Sequence, residues 1–135
     1  MKFLTPLALL ATTVAANPIL ARDGGKTFTL KTSSQKTEHN NLYVSAYHTG
    51  AGLNDAVLTK DAGTARPAVL NGTNVEFQLG GELTWGMMMP GDTNYADLDS
   101  AWEPVEINGG KGSEGFAVKD GQLEWDEKMG FGGWL

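Results

Sequence analysis

The sequence predicts an all-β fold, an antiparallel sandwich or small barrel of eight to ten short strands with at most one short helix. Three observations lead there. Apolar and polar residues alternate through many runs of four to six residues. Two preferred hairpin pairs, Asn71-Gly72 and Asp120-Gly121, stand between such runs. No long stretch repeats its apolar residues at the period of a helix.

The clearest element is the segment 116–125, FAVKDGQLEW. A two-residue turn at Asp120-Gly121 sets Lys119 against Gln122, Val118 against Leu123, Ala117 against Glu124 and Phe116 against Trp125. The large apolar residues then share one side of the ribbon. Upstream, residues 27–31 (TFTLK) alternate and form the first expected strand. Residues 42–47 (LYVSAY) form another, with Leu42, Val44 and Ala46 on an aliphatic face and Tyr43, Ser45 and Tyr47 on an amphipathic one. The spacing predicts a glycine-bearing loop over 48–55 and a short strand over 56–59. Residues 68–70 and 75–79 are expected to close a hairpin around Asn71-Gly72, with Leu70 against Thr73 and Ala68 against Val75. After it, a three-residue loop at 80–82 sets Leu79 against Leu83 and Phe77 against Trp85. A two-residue loop would set Leu79 against Glu82, and a one-residue slip turns the apolar set to the wrong face. In residues 88–102 (MMPGDTNYADLDSAW) alternation stops, and Tyr95, Leu98 and Trp102 have the spacing of a helical turn. Strand resumes at 105–107, and 108–115 (NGGKGSEG) reads as a glycine loop.

The N-terminus has the layout of a secretory signal peptide over residues 1–16: Lys2, the apolar run FLTPLALLATTVAA, and small residues before Asn17. That run is too short and too interrupted to span a bilayer, which needs about 20 apolar residues. Removal of 1–16 would leave a flexible segment, 17–26, and a single domain over 27–135. The expected localisation is therefore secreted and extracellular. The exported chain would carry 9 basic and 16 acidic residues, a net charge of −7, which repels phosphate backbones and argues against nucleic acid as a partner. The chain has no cysteine, so its core must hold without disulfides. Asn71-Gly72-Thr73 is a glycosylation sequon on an expected turn. The run at 131–135 (FGGWL) is apolar to its last residue, which suggests that a final strand is missing and that an edge is left open.

The segments LYVSAYHTGAGLNDAVL (42–58), VLNGT (69–73), WEPVEING (102–109) and GFGGWL (130–135) carry a resemblance. With them the chain resembles a family of small secreted fungal proteins, uncharacterised and sometimes labelled IgE-binding protein. The resemblance implies export and a β-rich domain, and a short tail beyond GGWL bearing cysteine and aromatic residues. It implies no catalytic residue.

The residue types that could carry chemistry are few. His39 and His48 are the only histidines. A small hydrolase, nuclease or glycan-cleaving, would pair His48 with a carboxylate as general acid and base. A ribonuclease-like form would use a glutamate, with Arg66 or a lysine to steady phosphate charge. A Ser-His-Asp form could recruit His48 and Asp55, but no serine stands in a nucleophile elbow. There is no zinc set and no cofactor motif. Asp92, Asn94, Asp97 and Asp99 place hard oxygens in one short loop, as calcium requires, though their spacing is not that of an EF-hand. An acidic helical turn facing water accounts for the same letters. Tyr43, Tyr47, Trp85, Tyr95 and Trp102 include rings that could stack on a sugar, against a core that needs large rings. Met87, Met88 and Met89 suit gap filling. The expected function is a non-enzymatic binding or host and cell-wall interaction protein. Its contact surface would be built from Tyr47, His48, Asp55, Tyr95 and Trp102, on loops carried by a rigid scaffold. A glycan or an extracellular protein is the expected partner, and a structural role in a wall or matrix is the other non-enzymatic reading.

Overall fold

The computed structural model of the chain describes residues 8–13, 26–89 and 104–125. The acidic loop 92–99, the expected helical turn with Tyr95 and Trp102, and the 131–135 run lie outside the described residues.

The described residues form ten strands: β1 (Ala8–Thr13), β2 (Phe28–Ser33), β3 (Tyr43–Gly50), β4 (Leu53–Thr59), β5 (Ala68–Asn71), β6 (Asn74–Phe77), β7 (Trp85–Met88), β8 (Glu106–Gly109), β9 (Phe116–Lys119) and β10 (Gln122–Trp125). Every strand pairing is antiparallel, in the order β3-β4-β8-β7-β6-β5-β2-β1-β10-β9. A further β2–β3 pairing closes seven strands into a barrel. The open alternatives of sandwich or barrel thus resolve to a barrel, with β1, β10 and β9 continuing the sheet from β2.

Closure depends on β2. One edge carries β1 along all six residues, from Thr13 opposite Phe28 to Ala8 opposite Ser33. The other edge meets β5 at Phe28–Ala68 and β3 at Lys31–Tyr43. Its inward residues Phe28, Leu30 and Thr32 are buried, as strict alternation requires. Thr32 is a hydroxyl in the core, but it is fully satisfied. It donates to the His39 carbonyl (2.7 Å) and accepts from the Leu42 amide (2.9 Å), which fixes the 3₁₀ turn Thr37–His39 beside the barrel. Val44, Ala68, Val75, Phe77, Met87 and Ile107 fill the interior, with Leu9, Phe116 and Leu123 where the sheet continues past the barrel. Of the three methionines expected to fill gaps, Met87 within β7 and Met89 just after it are buried in the core, and Met88 is half-buried.

The terminal hairpin has the expected register at all four pairs. Both turn residues take positive φ, Asp120 at 51° and Gly121 at 76°, as the tight turn demands. Phe77 pairs with Trp85, so the register inferred from polarity after Gly80-Gly81 also holds. Two expectations are corrected. The residues read as a loop over 48–55 mostly belong to the β3–β4 ladder, because a register shift between His48 and Gly50 lets pairing run on to Leu53. Only Ala51 and Gly52 turn, with Gly52 at a φ of 74°. In the β5–β6 hairpin, Leu70 pairs with Val75 and Ala68 with Phe77, two residues from the expected partners. Here Asn71 joins the ladder opposite Asn74, and Gly72 (φ 62°) opens the turn in its place. A slip of two residues preserves the faces, so the apolar set still points inward.

Loop 110–115 packs its backbone directly on β7. A Cβ at Gly86 would collide with the backbone of Lys111 and Gly112, and one at Gly112 with Met87 and Gly86. The Ser113 amide donates to the Met87 carbonyl (2.9 Å), and the Asn74 side chain donates to the Ser113 carbonyl (3.0 Å). Two glycine substitutions separate strain from collision. Gly121 has open space around it, so Gly121→Val should cost about 1–2 kcal/mol through positive φ alone. Gly86→Ala should cost about 3 kcal/mol or more, because the obstructing atoms are backbone. Urea unfolding midpoints of the two variants would rank them, and equal midpoints would refute the close packing at Gly86.

Candidate functional site

Burial falls steadily along β3. Val44 and Ser45 are buried, Ala46 is half-buried, and Tyr47, His48 and Thr49 are exposed. Both faces of the strand become bare, so the β3–β4 hairpin projects beyond the packed interior. Its base is anchored by Ser45, whose hydroxyl donates to the Thr64 carbonyl (2.8 Å). The turn Ala62–Thr64 is capped in its own right by the Asp61 carboxylate, which accepts from the Gly63 amide (2.8 Å).

Register divides the projecting residues between two faces. Tyr47 stands opposite Asp55, and Asp55 opposite Glu106 of β8. Leu53 lies on the same face as Asp55 by alternation along β4. This face therefore presents a ring, an aliphatic side chain and a carboxylate together, with Tyr47 63% and Leu53 50% exposed. Two carboxylates at paired positions repel. Glu106 is steadied by the Asn108 amide, which donates to it at 2.7 Å.

His48 belongs to the opposite face. Its Nδ1 lies 3.3 Å from the Asn54 amide oxygen. Asn54 is buried and well satisfied: its side-chain nitrogen donates to the Ile107 carbonyl (2.7 Å), and its backbone amide donates to the Asn108 side chain (3.0 Å). The two asparagines thus clamp β4 to β8 just behind the hairpin tip. Cross-strand alternation puts His48 and Asp55 on different faces, so the expected contact set divides. Tyr47 and Asp55 come together; His48 joins Asn54 instead. Tyr95 and Trp102 fall outside the described residues, as do Asp92, Asn94, Asp97 and Asp99. Among the described residues no group of three or more His, Cys, Asp or Glu could hold a metal ion. His39 lies in the turn before β3, 3.5 Å from the exposed Glu38 carboxylate.

Asn71 is exposed at the end of β5, where its amide donates to Glu76 (3.0 Å). No described helix is long and apolar enough to cross a membrane. Sequence reasoning missed Leu53, Asn54, Glu106 and Asn108. The first two lay in a presumed loop, and the last two gain meaning only from the β4–β8 pairing. Replacing Asn54 by Leu should cost about 1–3 kcal/mol, because the Ile107 carbonyl is left buried without a donor. Equilibrium unfolding would detect the loss, and a change under about 0.5 kcal/mol would refute the clamp.

The fold and this surface define a small antiparallel β-barrel protein with a projecting hairpin. The chain belongs to the family described as Domain of unknown function (DUF7907), which it matches over residues 25–135. No curated protein and no solved structure matches the chain.

Proposed function

We propose that the protein is exported and acts as a non-enzymatic binding domain, with its contact surface on the outer face of the β3–β4 hairpin. The observation that carries this reading is the shared exposure of Tyr47, Leu53 and Asp55 on one projecting face. An amphipathic ring beside an aliphatic side chain and a carboxylate suits a sugar face with its hydroxyls, or the apolar centre of a protein contact. A glycan or an extracellular protein is the partner class. The leader-like residues 1–16 support export, and the acidic charge argues against nucleic-acid binding. The similarity to small secreted fungal proteins points the same way and suggests a cell wall or a host as the place of action.

The test is a glycan array and an extracellular-protein pull-down with the secreted protein, followed by Tyr47→Ala and Leu53→Ala. At a binding centre each substitution should weaken capture by about ten-fold or more. Because both side chains are exposed, stability should move by less than about 0.5 kcal/mol. Binding that survives both substitutions would place the surface elsewhere. On the same material, a mass decrease on treatment with a peptide N-glycosidase would report a glycan at Asn71.

A further inference from the structure

The strand Ala8–Thr13 occupies a seat that the exported protein cannot keep filled from the same source. β1 lies between β2 and β10, and it is the strand through which the β9–β10 hairpin joins the sheet. It covers the whole of one β2 edge, and its Leu9 is buried in the core. Yet all six residues fall within the expected leader, and the family match begins at residue 25. Removing 1–16 would open a six-residue edge and uncover Leu30 and Leu123, both otherwise buried. Unpaired edges of this kind recruit another strand.

We propose that in the leader-free protein residues 131–135 take the seat held here by β1, so that the leader is a placeholder for a later strand of the same chain. The inference rests on the reading that the leader is removed. Three observations carry it. First, β1 runs antiparallel to both β2 and β10, which is the direction of a chain returning from the end of β10. Second, five residues, 126–130 (DEKMG), separate Trp125 from Phe131, and a glycine-bearing loop of that length closes a common hairpin. Third, the family match includes 131–135 while excluding β1.

Polarity then sets the register. Pairing across a five-residue loop puts Phe131 opposite Trp125, Gly133 opposite Leu123 and Trp134 opposite Gln122. The inward positions become Phe131, Gly133 and Leu135, on the same face as the buried Leu123. A four-residue loop would turn both Phe131 and Leu135 outward. In the five-residue register Trp134 falls at the position of Leu10, which pairs with Gln122 in the leader-bound form. Leu135 falls at the position of Ala11, opposite Leu30.

The chain has no native cysteine, so an engineered pair reports this register directly. The full chain, with its own leader, is expressed in a secreting eukaryotic host, and the intact mass of the product shows whether 1–16 has gone. Gln122→Cys/Trp134→Cys is compared with Gln122→Cys/Gly132→Cys, whose diagonal spacing is too wide for a disulfide. After mild oxidation the first pair should form an intramolecular disulfide in at least ten-fold greater yield than the second. Amide exchange across Phe28–Ser33 in the cysteine-free, leader-free protein should be slow, and Leu135→Asp should speed it by ten-fold or more. A folded, leader-free product with no excess cross-link overturns the proposal and leaves export standing. So does a disulfide formed between two copies, which would make a second molecule the occupant. A secreted product that retains 1–16 overturns the exchange of strands while export stands, and a product that stays inside the cells removes the export reading itself.

Discussion

The architecture depends on the sharing of β2. A single six-residue strand gives one edge to β1 and divides the other between β5 and β3. Dividing an edge this way lets a seven-strand barrel close, with β5 meeting β2 at Phe28 and β3 meeting it at Lys31. The junction is a place where backbone groups could be left bare, and the sequence answers with Thr32. Its hydroxyl bonds His39 and Leu42, while its amide donates to the Leu42 carbonyl at 2.8 Å and its carbonyl accepts from Asn41 at 3.0 Å. Asn41 takes a φ of 59° to make that bond, a conformation asparagine tolerates better than most residues. Closure, capping and a strained residue are therefore one arrangement around one buried threonine.

The same economy shapes the projecting hairpin. Its exposed face is held in place by polar groups on both sides of the sheet, the Asn54 side chain on the inner face and the Asn108 side chain beside Glu106, which together tie β4 to β8. Buried amides of this kind are costly unless every bond is made, and when they are made they fix one register. The hairpin is thus a surface on a rigid mount, which lowers the entropy cost of any contact it makes.

Much of this was legible in the letters. Positive-φ demand at Asp120-Gly121 fixed the last hairpin, and the mismatch of Leu79 with Glu82 fixed the register that brings Phe77 to Trp85. Alternation failed where a single residue shifts the ladder: at His48–Gly50 the polar and glycine letters of a strand with a bulge are those of a loop. Asn71-Gly72 misled for a related reason, since Asn71 reaches Glu76 from within the ladder and leaves the turn to Gly72. The site was only partly readable. Tyr47 and Asp55 share a face by simple counting, but Glu106 reaches them through a pairing between distant segments that no local pattern encodes.

That distant pairing sets the pace at which the molecule can assemble. Ladders between strands consecutive in sequence, such as β3–β4, β5–β6, β6–β7 and β9–β10, are local and can form early. The β4–β8 and β2–β5 ladders must bring together Asp55 with Glu106 and Phe28 with Ala68, so their chain entropy is lost before their contacts form. Barrels of this kind mature in milliseconds to seconds, with the closing seam last. Until the seam forms, the newly made chain carries bare strand margins, and its need for chaperones is governed by ring closure and not by hairpin formation.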